Sequence, residues 1–100
     1  MRSVSVSVLN FNGEKNTLEC VESLKKIDTS KLKLNIIVID NGSVERLNLK
    51  DSQWDNASIK VIRSEKNLGF SGGHNVGIEY ALKKGSDFIV ILNNDTYVEK

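Results

Sequence analysis

The stretch Leu34–Ser43, "LNIIVIDNGS", decides the fold. Its first seven residues, Leu34–Asp40, are an apolar, β-branched run without the polar alternation of a one-sided strand, which suits a strand buried on both faces. The run ends on a carboxylate, Asp40, followed by the turn-forming residues Asn41, Gly42 and Ser43. A strand covered on both faces calls for helices above and below it, and the chain on either side supplies them.

Upstream, Ser3–Leu9 puts Val4, Val6 and Val8 on one face and the small Ser5 and Ser7 on the other, where a helix can lie over them. Asn10–Gly13 carries turn chemistry. The segment "EKNTLECVESLKKI" then spaces Leu18, Val21, Leu24 and Ile27 as a helix would, with Glu14 and Glu19 early and Lys25 and Lys26 late, matching the helix dipole. Downstream, Val44–Ser58 is polar and weakly periodic, and reads as a loop or a short irregular helix. Ile59–Arg63, "IKVIR", is a third strand, and "SEKNLGFSGGHNVG" a glycine-rich loop. Val76, Ile78, Ala81 and Leu82 make the apolar face of a second helix that stops at Gly85, and Asp87–Leu92 is a fourth, buried strand. This β-α-β-β-α-β order predicts a single domain over residues 1–100, an α/β/α sandwich of three layers with a mainly parallel sheet.

With a formal net charge of +1 and basic residues spread along the chain, no footprint for nucleic acid or an anionic membrane stands out. The first residues alternate small polar with apolar side chains, unlike a signal peptide, and no apolar run approaches a membrane span, so the expectation is a cytosolic chain. One cysteine, Cys20, cannot form an intramolecular disulfide and reads as a small core residue.

In parallel sheets ligands gather outside the carboxyl ends of the strands. The polar residues cluster there: Asn10 and Asn12, Asp40–Ser43, the glycine-rich loop, and Asn93–Asp95. Asp95, flanked by amides, can bind a hard divalent cation when a diphosphate completes the coordination, or Asp95 and Thr96 can simply cap a turn. Asp40 suits a ribose or base N–H, and equally a tight turn. Gly69, Gly72 and Gly73 allow close backbone approach before a helix N-terminus, as a phosphate or sugar nucleotide needs, although neither the dinucleotide nor the P-loop fingerprint is met. His74, the only histidine, reads more readily as a hydrogen-bonding surface residue than as a base. Phe11 and Trp54 can stack on a base or fill core and surface space.

Taken together, "SVSVLNFNG", "IIVIDNGS", "NLGFSGGHNVGI" and "FIVILNNDT" resemble, in order and spacing, the nucleotide-binding half of family 2 glycosyltransferases of the GT-A fold, a Rossmann-like sheet. The resemblance spans nearly the whole chain. "GFSGGHN" with "LNNDT" is most similar to the rhamnosyltransferase branch, which uses a dTDP-activated sugar. The resemblance implies that Leu9 and Phe11 line the base pocket, that Asp40 bonds the pyrimidine, and that Asn10 lies beside them. It implies that Gly69, Gly72, Gly73, His74 and Asn75 form the glycine-rich part of the nucleotide site. It implies also that Asn93-Asn94-Asp95 replaces the DXD motif, with Asn94 near the ribose and Asp95 binding Mg²⁺ or Mn²⁺ on the donor diphosphate. The family often has arginine where His74 stands, and asparagines in place of the earlier acids imply weak metal binding without nucleotide.

The family's acceptor-binding half, with the catalytic base of inverting members, follows the metal motif, so the base is expected beyond Lys100. The chain therefore reads as a donor-binding portion cut short after the DXD-like motif and inactive alone. The full enzyme would move sugar from a dTDP- or UDP-sugar to a glycan or lipid-linked acceptor in cell-surface polysaccharide or glycolipid synthesis. It would act in the cytoplasm or peripherally at the inner membrane face, and uncovered apolar surface would favour a homo-oligomer. Two alternatives stand beside this one. One is a non-catalytic nucleotide or nucleotide-sugar binding module. The other is a receiver-like signalling domain, which needs an acidic pair where Asn10-Phe11-Asn12 stands.

Overall fold

A computed structural model describes residues 1–93. Five strands form one sheet: β1 (Arg2–Asn10), β2 (Leu32–Asn41), β3 (Ser52–Trp54), β4 (Ala57–Ser64) and β5 (Phe88–Asn93), in the order β3-β4-β2-β1-β5. All neighbours pair in parallel except β3 and β4. Two helices, α1 (Glu14–Lys25) and α2 (Gly69–Lys83), cover opposite faces, giving the three-layer sandwich that the apolar run in β2 predicts.

The alternation in β1 decides which helix lies where. Val6 and Val8 join Ile36 and Val38 of β2 under Cys20, Val21 and Leu24 of α1. On the reverse face Ile37 and Ile39 meet Ala81 of α2, with Leu9 and Ile62 at the margin. Each valine, leucine or isoleucine among them, once buried, contributes about 1.5–3 kcal/mol. The face of α1 is not quite the predicted one: Thr17 and Cys20 are buried with Val21 and Leu24, whereas Leu18 and Ile27 lie only partly inside. Short side chains fill the inner positions because the helix sits close to the valines.

Helix α2 differs more. The glycine-rich segment is not a loop ahead of the helix but its first turns, because α2 begins at Gly69. A Cβ on Gly77 would collide with Ser7, and one on Gly73 with Leu9 and the Asn41 amide. Those two glycines let the helix settle directly onto the serine side of β1. Gly73, His74, Gly77 and Ala81 therefore form the inner face, while Leu82, expected there, is 63% exposed. The helix ends in a Schellman arrangement: Gly85, with φ +74°, donates its amide to the Leu82 carbonyl and Ser86 donates to that of Ala81.

The Val44–Ser58 stretch holds no helix. It includes the three-residue edge strand β3, too short to show a period and defined by its antiparallel pairing with β4, and its last two residues, Ala57 and Ser58, open β4. Asp51 guards this edge, accepting from the Val61 amide and pairing with Lys60 at 3.1 Å. Among the described residues no helix is long and apolar enough to cross a membrane.

Gly77→Ala gains up to about 1 kcal/mol of helix propensity but forces a collision worth about 1–3 kcal/mol. The expected result is a lower urea midpoint, and an unchanged or raised midpoint would refute the close-packed seam.

Candidate nucleotide-binding site

Register builds the site. Asn10 of β1 stands opposite Asp40 of β2, which stands opposite Arg63 of β4. By the two-residue alternation of parallel strands, all three side chains project on the α1 face at the carboxyl edge of the sheet. Asn10 Nδ2 donates to Asp40 Oδ1 at 3.0 Å, and Arg63 Nη1 donates to Asp40 Oδ2 at 2.8 Å. Thr17 of α1 donates to Asn10 Oδ1 at 2.5 Å, tying the helix to the same rung.

The loops are hung from this rung. Ser43 Oγ accepts from Asn10 Nδ2 and from the Asn12 amide, at 3.1 and 2.9 Å. Asn12, with φ +52°, accepts the Val44 amide on its side chain. The Leu47 amide donates to Asp40 Oδ2 at 2.9 Å, and Arg63 Nη2 donates to the Ser43 carbonyl at 2.9 Å. Asp40 is 1% exposed. Burial pushes its carboxyl up, but the Leu47 amide, Ser43, Asn10 and Arg63 together outweigh burial and hold it below the usual carboxylate range.

Above the rung lies a cleft of about 300 Å³ lined by Asn10, Asn12, Glu14, Ser43, Val44, Glu45, Arg46 and Leu47. A larger hollow, about 690 Å³, opens at the opposite end of the sheet beside Lys33, Lys60, Tyr80 and Lys84. Position outweighs size here, since parallel sheets bind ligands at their carboxyl ends. Among the described residues no group of three or more His, Cys, Asp or Glu could hold a metal ion.

The expected site residues fall in different places. Asn10 is buried in the rung and Phe11 is 47% exposed beside it, free to meet a ligand. Leu9 faces the other way, toward Gly73 of α2. The turn after β2 is also real: Gly42 has φ +73° and donates its amide to the Asp40 carbonyl, so Asp40 serves the fold whatever else it binds. Asn41 holds the start of α2, accepting the Leu68 amide and donating to the Gly69 carbonyl. The Gly69 amide is taken by Asn67, so two amides at this helix start are already partnered. Gly72 is partly buried and Asn75 exposed, while Gly73 is buried for packing.

His74 is not on the surface. It is 2% exposed, its Nδ1 lies 2.8 Å from Ser7 Oγ, and Phe70 packs edge-on against its ring. Burial pushes its pKa down. Trp54 sits at the amino-terminal end of the sheet, with Lys25 over its ring, and is remote from this cleft. Asn93 ends β5 opposite Leu9; Asn94 and Asp95 lie outside the described residues. Sequence reasoning missed Arg63 and Thr17. A lone arginine closing the alternating "IKVIR" was the available signal, but it acquires meaning only through the β2–β4 register.

The family described as "Glycosyl transferase family 2" matches residues 5–100. Poly(ribitol-phosphate) beta-N-acetylglucosaminyltransferase TarS of Staphylococcus aureus is 30% identical over the whole chain, which covers 17% of that protein. Low-salt glycan biosynthesis hexosyltransferase Agl10 of Haloferax volcanii is 27% identical over 97% of the chain and 29% of its own length. The dTDP-rhamnosyl transferase RfbF of Shigella flexneri is 30% identical over 63% of the chain and 21% of its own length. The chain thus spans less than a third of these curated relatives. The crystal structure of S. aureus TarS 1-349 in complex with UDP superposes over the full chain and 29% of its own, with a TM-score of 0.77 and 28% identity.

Acid should weaken the fold in two stages. The unfolded chain protonates its histidine below about pH 6.5 while buried His74 resists, so stability falls there first. The Asp40 contribution is complete above about pH 4 and is lost as pH falls through its lower folded value. His74→Gln should remove the first stage of a urea-midpoint profile. Asp40→Asn should reduce the second, to which Asp51 and Asp28 also contribute through carboxyls held low by the Val61 and Ser30 amides. It should cost about 3 kcal/mol at pH 7, because Arg63 loses its counter-charge.

Proposed function

The chain belongs to glycosyl transferase family 2, and on that footing we propose that it is the donor-binding part of an enzyme transferring sugar from a pyrimidine nucleoside diphosphate. The observation that carries this reading is the Asn10–Asp40–Arg63 rung at the carboxyl edge of the sheet, below an open cleft, in a chain that superposes on a TarS structure containing UDP.

Uracil and thymine each carry an imide N–H, and Asp40 is an ionised acceptor held rigidly beside the cleft. In this reading the imide takes the place of the Ser43 hydroxyl at the carboxylate, while Asn10, Leu47 and Arg63 keep Asp40 oriented. Phe11, exposed at the end of β1, offers an apolar ring for the base. The strand β5 runs parallel to β1 and ends at Asn93, opposite Leu9, at the same carboxyl edge. We assign Asp95 to a Mg²⁺ or Mn²⁺ ion, which when bound would neutralise the charge of the departing diphosphate. None of the described residues is proposed as the base that deprotonates the acceptor hydroxyl.

The relatives act in glycan synthesis by their names, TarS on poly(ribitol-phosphate) and Agl10 in low-salt glycan biosynthesis. We place the present chain in the same kind of pathway, in a cell-surface glycan or glycolipid. The UDP in the TarS structure favours uridine, whereas RfbF leaves a dTDP-rhamnose donor as the finer alternative.

Calorimetric titration with UDP and with dTDP, each with and without Mn²⁺, tests the reading. Manganese-dependent binding should appear with at least one of them and be lost in Asp95→Ala. A folded chain that binds neither nucleotide would sink it.

A further inference from the structure

We infer that Arg63 is a positioning residue for nucleotide recognition, holding the Asp40 carboxylate and the Ser43–Leu47 segment in the arrangement that presents an anionic acceptor to the cleft. This rests on the donor-binding reading above and names a residue that neither the motifs nor the resemblance singled out.

The geometry is that of a fork. Nη1 of Arg63 donates to Asp40 Oδ2, and Nη2 donates to the carbonyl of Ser43, so one planar guanidinium joins the end of β2 to the start of the loop that follows it. The other end of that loop returns to the same oxygen through the Leu47 amide. Both ends of the segment Ser43–Leu47, which supplies five of the eight residues lining the cleft, are thereby secured to the Asp40–Arg63 pair. The cation cannot drift. Its side chain is 16% exposed, and the parallel register of β2 and β4 sets it directly beside Asp40.

Other charges do not substitute for it. From the segment after β4, Glu65 lies 3.5 Å from Arg63 Nε but its side chain is 72% exposed, where water screens it. From the loop, Arg46 pairs with Glu65 at 3.1 Å and not with Asp40. From α1, Glu14 accepts the Asn48 amide. His74 lies on the opposite face of the sheet, against Ser7. Among the described residues Arg63 is therefore the cation in contact with Asp40.

Removing it has two consequences of different kind. The loop loses the tie at the Ser43 carbonyl and keeps those at its hydroxyl, which weakens binding at every pH. The buried carboxylate also loses its cation and takes up a proton more readily, and a neutral carboxyl is a poorer acceptor for an imide. The second effect is absent if Arg63 merely fills space.

The experiment is a calorimetric titration of the chain with UDP and Mn²⁺ between pH 5 and 8, on wild type, Arg63→Gln and Arg63→Lys, with folding checked by circular dichroism. Arg63→Gln should weaken UDP about ten-fold at pH 7, and its affinity should fall with acid at a clearly higher pH than in wild type. Arg63→Lys keeps the charge and loses the fork, so its affinity should drop a few-fold with a wild-type pH profile. The Leu47 amide resonance, which reads protonation of Asp40 without ligand, should titrate at higher pH in Arg63→Gln only. Wild-type affinity in Arg63→Gln, or an equal weakening at every pH, overturns the inference alone. If Arg63→Gln does not fold, unchanged affinity in Arg63→Lys does the same. If the wild-type chain binds dTDP and not UDP, the same series is read with dTDP; a wild-type chain that binds neither nucleotide overturns the donor-binding reading and this inference with it.

Discussion

A carboxylate with almost no exposed surface stays ionised only where its neighbours replace the water it has lost. Asp40 is in that position, and the whole carboxyl edge of the sheet is organised around satisfying it. Four donors come from three places: Asn10 on β1, Arg63 on β4, and the loop after β2, which supplies both the Leu47 amide and the Ser43 hydroxyl. Strand register, loop path and the seat of α1 through Thr17 all converge on one side chain. A slip of one residue in β1 or β4 would send Asn10 or Arg63 to the other face and strand the charge.

The opposite face solves a different problem by smallness. Ser7 on β1 and Gly77 on α2 bring helix and sheet into direct backbone proximity, and His74 packs into the same seam with its Nδ1 on Ser7. The glycines here are packing residues first. That shapes the carboxyl edge, because a helix seated so low brings its amino-terminal end, pinned by Asn41, beside the turn at Gly42. One face is thus a polar anchor for the cleft and the other a rigid support for it.

The family model over residues 5–100 shows the family and the likeness to TarS supports the fold, and the rung holds an ionised acid at the carboxyl edge of that sheet. Position on the sheet, and not cavity size, identifies the cleft, since the larger hollow lies at the end where parallel strands begin. Exposed Phe88, Val90 and Ile91 along β5 leave apolar surface on the sheet's far edge. Among the described residues the Arg2 guanidinium lies over the Phe88 ring, 5.5 Å from its centroid.

Much of this was legible along the chain because it depends on local order. The unbroken apolar run in β2, the valine–serine alternation in β1 and the glycine after α2 each express a steric or hydrophobic requirement within a few neighbouring residues. They suffice for the three-layer sandwich and for the strand ends as the place of chemistry. The remainder depended on contacts between residues far apart in sequence. Whether Gly73 serves a phosphate or the packing of Leu9 and Asn41, whether His74 faces water or the sheet, and whether three residues at 52–54 pair as an edge strand depend on what lies opposite them in space. Arg63 is the clearest case: a lysine or arginine ending a short strand is ordinary, and it becomes the partner of Asp40 only because parallel pairing places the two, 23 residues apart, on one rung.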